Sequence, residues 1–314
     1  MSSYRIIGHQ GIKLQIKNSI KLNRFSHAHI LVGENGIGKS MVAKEMAIRV
    51  LGKNELKPYV DMIEFKVPKG RKSIGIEESK NIIEEINKKP YECDKKVIII
   101  YNADKMTEAA QNALLKTIEE PPLESFMVLL CEKLDGILDT IKSRCQVYKF
   151  NRLSQEDMLL FLGNRYPQLD EEEINSVLAF SDGIPGRAER FISDSHLCEI
   201  RDAVADMLKR LKDDDVDYFL RFSNYLLSIK DEWQEILTCI LAYIRDVLVY
   251  KETGNKKLIV NADKFEYIKI ISEMFSFKKL NALVNIVKAT KGKLGKNVNP
   301  ALVFDSMLVK MQEV

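Results

Sequence analysis

Apolar and polar residues follow two rhythms in the first half of the chain. Short, largely apolar runs occupy positions 28–32, 62–65, 97–100, 126–130 and 147–150. The run Val97-Ile98-Ile99-Ile100 is unbroken and β-branched, the pattern of a strand covered on both faces of a parallel sheet. Between these runs lie segments with helical spacing. Residues 40–47 form one, and Ile76–Asn87 forms another, with Ile82, Ile83 and Ile86 on one face. A third opens at Thr107, a good cap, carries Ala110, Leu114 and Ile118 on one face, and stops at Pro121-Pro122. Strands alternating with helices over about 150 residues predict a doubly wound α/β domain.

After Phe150 the strand rhythm ends. Ser154 to Asp157 opens a helix, Glu171–Ser181 reads as another, and Gly183-Ile184-Pro185-Gly186 stops it. From about Leu197 the chain is helical in pattern, interrupted at 213–215, 254–255 and 291–293. The predicted organisation is therefore α/β plus all-α in three parts: 1–153, 154–205 and 206–314.

Composition narrows the classes. A chain of 314 residues exceeds one ordinary core, and 46% hydrophobic with 30% charged residues excludes collagen, wholesale disorder and a disulfide miniprotein. A net charge of +3 argues against coating nucleic acid by bulk electrostatics. No apolar stretch approaches the roughly 18 residues of a membrane helix. The opening Met1-Ser2-Ser3-Tyr4-Arg5 lacks a secretory pattern, so a cytoplasmic location is expected. The five cysteines are scattered, with no CxxC pair, which predicts buried thiols and no zinc.

One motif carries definite chemistry. Gly33-Glu34-Asn35-Gly36-Ile37-Gly38-Lys39-Ser40 satisfies G-x-x-x-x-G-K-[ST] between a predicted strand and a predicted helix. Glycines let the backbone N–H groups surround phosphate oxygens, and the helix start adds its positive end. Lys39 would reach the β and γ phosphates and Ser40 would coordinate Mg²⁺, so ATP or ADP with Mg is the implied ligand. Hydrolysis also needs a carboxylate at the tip of a neighbouring strand. The tip here reads Tyr101-Asn102-Ala103-Asp104, and neither of its first two residues can supply one. Asp104 is the remaining candidate, beyond the usual place.

TEAAQNALLKTIEEPP at 107–122, followed by Ser143-Arg144-Cys145, resembles the bacterial clamp-loader branch of the AAA+ ATPases, in particular its non-motor subunits. Ile6-Ile7-Gly8-His9-Gln10, Tyr243-Ile244-Arg245-Asp246-Val247-Leu248 and Asn297-Val298-Asn299-Pro300 fit the same family. The likeness is strong over 4–190 and weaker to 314. It implies a RecA-like P-loop domain, a small helical lid and a helical collar, matching the three predicted parts. The implied partners are gamma/tau motor subunits, a delta subunit, the beta sliding clamp and primer–template DNA. By the same resemblance, Arg144 points across a subunit boundary at ATP held by a neighbour, where its fixed fork can stabilise charge on a transferring phosphoryl group.

Motor members of the family carry Asp-Glu where this chain has Tyr101-Asn102, a polar sensor near Cys131, and a lid arginine where it has Gly186, with Arg187 one step out of place. Those losses imply a subunit that holds nucleotide without turning it over. An active gamma/tau-type ATPase is the alternative. A small-molecule P-loop kinase would explain 33–40 but not the SRC triplet. Other candidates are weaker: His27 and His29 as a metal pair, the basic loop 66–72 and Lys116 as DNA contacts, and Trp233 as a stacking platform rather than helix packing.

Overall fold

The computed structural model describes residues 6–68, 70–213, 215–294 and 298–314. The opening Met1 to Arg5, Lys69 of the basic loop, Asp214 and Asn297 lie outside the described residues. The chain forms two compact units: one runs to Phe161 and includes Gly183–Gly186, and the other comprises Leu162–Asp182 and Arg187–Val314.

In the first unit the strands are β1 (Ala28–Val32), β2 (Met62–Phe65), β3 (Lys96–Ile100), β4 (Ser125–Cys131) and β5 (Gln146–Lys149). They fall on the five apolar runs and form one parallel sheet in the order β2-β3-β4-β1-β5. The helices are α1 (Gln10–Lys21), α2 (Lys39–Val50), α3 (Ile76–Asn87), α4 (Glu108–Glu119), α5 (Asp139–Lys142) and α6 (Gln155–Arg165), the last running past Phe161.

Period-two alternation explains the unbroken apolar strands. Ile98 and Ile100 of β3, with Ile30 and Leu129, pack against Ile82 and Ile86 of α3 and Ala110, Leu114 and Ile118 of α4. Val97 and Ile99, with Leu31, Val128 and Leu130, pack on the other face against Val42, Ala43 and Met46 of α2. Both faces are covered, so no strand position needs to be polar, and each buried Ile contributes about 1.5–3 kcal/mol. One of the polar exceptions is Lys96, 1% exposed, whose Nζ donates to the carbonyls of Glu85 (3.0 Å) and Lys88 (2.9 Å) at the end of α3. A buried cation there caps the negative end of a helix. Asp61 anchors the loop before β3, accepting from the backbone N–H of Tyr91, Glu92 and Cys93.

The second unit is helical, as the sequence predicts: α7 (Glu171–Ser181), α8 (Pro185–Ser193, from Arg187 on), α9 (Ser195–Lys209), α10 (Val216–Ser228), α11 (Trp233–Thr253), α12 (Phe265–Met274), α13 (Phe277–Leu294) and α14 (Pro300–Gln312). Ile236, Ile240, Ile244 and Val247 of α11 share one core with Ile200 and Val204 of α9, Ile268 of α12, Leu283 of α13 and Phe304 of α14. Helix α9 therefore belongs to this core and runs through positions 205–206. Trp233 packs against the same core. Asp246, fully buried, accepts from the backbone N–H of Val260 and Asn261 and from Asn261 Nδ2, and pairs with Arg245. Among the described residues no helix is long and apolar enough to cross a membrane.

Candidate nucleotide site and interface arginine

The phosphate loop joins the end of β1 to the start of α2, beside the point where the strand order jumps from β1 to the distant β2. Ligands of open α/β sheets bind at the carboxyl ends of strands at such a point. Gly33 N donates to the Cys131 carbonyl (3.2 Å), which ties the loop to β4. Gly36 has φ +81° and Gly38, the N-cap of α2, has φ +106°, left-handed conformations that a side chain would strain. Gly36 is also approached by Gly186: Gly186 N donates to the Gly36 carbonyl (2.9 Å), and a Cβ on Gly186 would lie 2.7 Å from Gly36 Cα.

Lys39 Nζ folds onto its own loop, donating to the carbonyls of Gly33 (2.5 Å) and Glu34 (2.9 Å). Burial holds its ammonium below the ordinary lysine value, against the opposing pull of Glu132, Cys131, Asp104 and Glu34. Ser40 follows as the second residue of α2. Glu34 is paired with Arg152, Nε to Oε1 at 2.6 Å and Nη2 to Oε2 at 3.2 Å, which offsets a carboxylate inside an anion-binding loop. His9 Nε2 lies 3.0 Å from the Ile37 carbonyl, and its ring packs 4.6 Å from Phe150. The sequence motif gave no role to His9, Arg152 or this partner of Gly186. The cradle suits a phosphate chain: left-handed glycines, a helix start, and a cation now resting on carbonyl oxygens.

The tip of β3 is built differently. The Tyr101 hydroxyl donates to Glu64 Oε2 (2.9 Å), Lys44 holds Glu64 Oε1 (2.8 Å), and Lys66 Nζ sits 4.9 Å from the Tyr101 ring centre. Tyr101 is thus engaged with β2. Burial and then the Glu64 carboxylate push its hydroxyl pKa well up, so it remains a neutral donor. Burial works against ionisation of Glu64, but Lys44, Tyr101 and Lys66 together hold it below the usual carboxylate value. The next turn returns Asp104 toward the cradle. Its Oδ2 accepts from Glu132 N (3.2 Å), its Oδ1 is buried without a partner, and its charge acts on Lys39. Cys131, buried at the end of β4, has its thiol pushed up to about 12 by burial and then by Asp104. It offers no thiolate.

Arg144 follows α5 and is half-exposed. Its Nε pairs with Glu119 Oε1 (2.8 Å), and Nη1 donates to the Thr140 carbonyl (2.9 Å) and Ser143 Oγ (3.2 Å). Among the described residues its contacts are with α4 and the α5 segment, not with 33–40. Burial pushes the neighbouring Cys145 thiol up to about 12. Gln111 ties α4 to the stretch entering α5: Nε2 donates to the carbonyls of Met106 (3.2 Å) and Gly136 (2.8 Å), while Oε1 accepts from Leu138 N (2.8 Å).

The two histidines serve packing. His27 Nε2 lies 2.6 Å from the Ile118 carbonyl and His29 Nε2 lies 2.7 Å from the Ser26 carbonyl, with His29 stacked on Phe25 and Tyr148. Among the described residues no group of three or more His, Cys, Asp or Glu is placed to hold a metal ion. In the basic loop Lys66 leans on Glu64 and Tyr101, and Arg71 pairs with Glu78. Lys116 is exposed on α4.

A five-stranded parallel sheet bearing a phosphate loop, with a helical unit after it, is an AAA+ type fold. Residues 8–154 match the family described as DNA polymerase III, delta subunit, and residues 195–313 match DNA polymerase III, delta subunit, C terminal. The delta' subunit of Bacillus subtilis is 28% identical over 324 residues, covering 94% of both chains. The tau subunit of the same organism is 24% identical over 345 residues, covering 98% of this chain but 60% of tau. A gamma subunit-related protein of Thermotoga maritima shares the fold, with TM-score 0.51 at 18% identity over 95% of this chain and 99% of that one. The chain belongs to the delta prime family of DNA polymerase III clamp-loader subunits.

Proposed function

We propose that this chain is the non-motor, delta prime-type subunit of a replicative clamp loader. It helps place a sliding clamp on primed DNA and lends Arg144 to ATP bound by a neighbouring gamma/tau-type subunit. The observation that carries the proposal is the division of chemistry within one unit. The phosphate cradle is complete, Tyr101 is committed to Glu64, and a half-exposed arginine is bonded to Glu119, Thr140 and Ser143 rather than to the cradle. Its partners are the motor subunits, a delta subunit, the beta clamp and primer–template DNA, and the cytoplasm is its compartment. The parts 1–153, 154–205 and 206–314 act as nucleotide domain, lid and collar, with α9 (Ser195–Lys209) spanning the second boundary.

At the cradle we propose binding of ATP or ADP without turnover. Gly33 to Gly38 would offer backbone N–H groups, Lys39 would move from the loop carbonyls to phosphate, and Ser40 would meet Mg²⁺. Bound Mg²⁺ supplies charge neutralisation for the phosphates. With Tyr101 and Asn102 at the strand tip, the usual carboxylates that organise it are missing. The alternative, a gamma/tau-type ATPase, draws on the tau match and is opposed by those same two residues.

Reconstitution with a motor subunit, delta, clamp and primed DNA tests the main reading. Arg144→Ala is expected to lower DNA-stimulated ATPase by at least about tenfold with assembly intact. Full activity of that variant would overturn the role of Arg144. Turnover by the purified chain, abolished by Lys39→Ala, would replace the proposal with the motor reading. Nucleotide binding unaffected by Lys39→Ala would remove the cradle's role.

A further inference from the structure

We propose that Glu119 positions Arg144, holding its guanidinium folded on the subunit until a neighbouring ATP site draws it away. The inference rests on the reading of Arg144 as a residue acting in trans. Glu119 is the last residue of α4 and Glu120 follows it, so two carboxylates stand at the negative end of a helix, where negative charge is unfavourable. Arg144 brings the compensating charge: its Nε lies 2.8 Å from Glu119 Oε1. The guanidinium is also held by the Thr140 carbonyl and Ser143 Oγ, so it lies against α4 and α5.

The frame around this pair is tied together by hydrogen bonds. Three hydrogen bonds from Gln111 fix the start of α4 to the stretch 136–138 that leads into α5. Glu119 closes the opposite end of the same helix onto the arginine that follows α5. The pair itself is exposed, with side-chain accessibilities of 41% and 45%, and an exposed pair adds little to folding. What it does is choose where Arg144 points. Arg144 must leave Glu119 to present its full fork to a phosphoryl oxygen on another subunit, because Nε is on the carboxylate and Nη1 is on the Thr140 carbonyl and Ser143 Oγ. The strength of the pair therefore sets the fraction of arginine free to reach.

The test is a reconstituted clamp loader carrying Glu119→Gln, Arg144→Ala or both. Glu119→Gln is expected to raise the ATPase measured without clamp or DNA by about two- to fivefold, the range of a surface ion pair. Rising salt should raise the basal rate of the unaltered complex toward that of the variant, and Glu119→Asp should restore the low rate. In the Arg144→Ala background, Glu119→Gln should change nothing. A melting midpoint unchanged by Glu119→Gln is expected, since the pair is exposed. If Arg144→Ala lowers the stimulated ATPase but Glu119→Gln leaves the basal rate unaltered, the positioning role is wrong and the trans arginine stands. If Glu119→Gln lowers melting and all rates together, its role is structural and the proposal falls. If Arg144→Ala changes no rate, the underlying reading itself has failed.

Discussion

Two strand ends lie in the same sheet of this protein, two strands apart, and have diverged in opposite directions. At the end of β1 a phosphate loop keeps both left-handed glycines, its lysine and its serine, and is braced by Gly186, Arg152 and His9. At the end of β3 the first side chain is a tyrosine bound to Glu64, and the next carboxylate along the chain, Asp104, spends one oxygen on the backbone of Glu132. Binding and hydrolysis need different things of the backbone. A cradle is made from N–H groups and φ angles, so it survives as long as the loop is packed. A hydrolytic tip is made from side chains alone, and one substitution recruits the position into another network. The Tyr101–Glu64–Lys44 chain is such a network, and it uses β2 and α2 rather than a metal.

Acid should break the two halves unequally. His29 sits in β1, 1% exposed, and burial brings its pKa down to about 4. The unfolded chain binds that proton below about pH 6.5 while the folded chain does not, so stability falls as pH drops from about 6.5 to about 4. The loss can reach about 3 kcal/mol. Denaturant unfolding between pH 7 and 4 should show that slope, and His29→Phe should make it shallower. Equal slopes in both proteins would mean that His29 stays charged or exposed. The next largest effect is steric. Gly186→Ala places a Cβ 2.7 Å from Gly36 Cα, against backbone that cannot swing aside as a side chain can, and should cost about 2 kcal/mol and weaken nucleotide binding. Thermal unfolding with and without nucleotide checks it; unaltered melting would mean that the loop and residues 183–186 move apart freely.

Much of this was legible in the chain. The run 97–100 announced a doubly covered strand, and the spacing of Gly33, Gly36, Gly38, Lys39 and Ser40 announced the cradle, because both depend on local pattern. Gln111 also carries a signal in the sequence: it sits in the apolar stripe of α4 with Leu114 and Ile118, and a polar residue in such a stripe has to find partners. Lys96 gave a similar signal, a cation opening an apolar strand. The Gly36–Gly186 approach and the Glu119–Arg144 pair were not legible. They join residues far apart in sequence, and a glycine or a surface carboxylate carries no mark of what lies across from it.

Smaller changes sharpen the contrast at the strand tip. Tyr101→Phe removes one hydrogen bond to Glu64, which Lys44 still holds, so the cost should be about 1 kcal/mol with nucleotide affinity unaltered. Isothermal titration and denaturant unfolding separate the two readouts. A large loss of affinity would mean that Tyr101 serves the cradle after all.

The least effect on the isolated chain belongs to the residue with the greatest proposed consequence. Arg144→Ala removes exposed contacts to Glu119, Thr140 and Ser143, and should change unfolding free energy by less than about 0.5 kcal/mol. Its effect should appear only when a neighbour supplies ATP. A side chain that contributes to a site it does not belong to has no reason to be buried in its own subunit, and the half-exposed guanidinium meets that condition. Destabilisation of the lone chain by more than about 1 kcal/mol would show that Arg144 is held for folding, and the separation between cradle and finger would then collapse into ordinary packing.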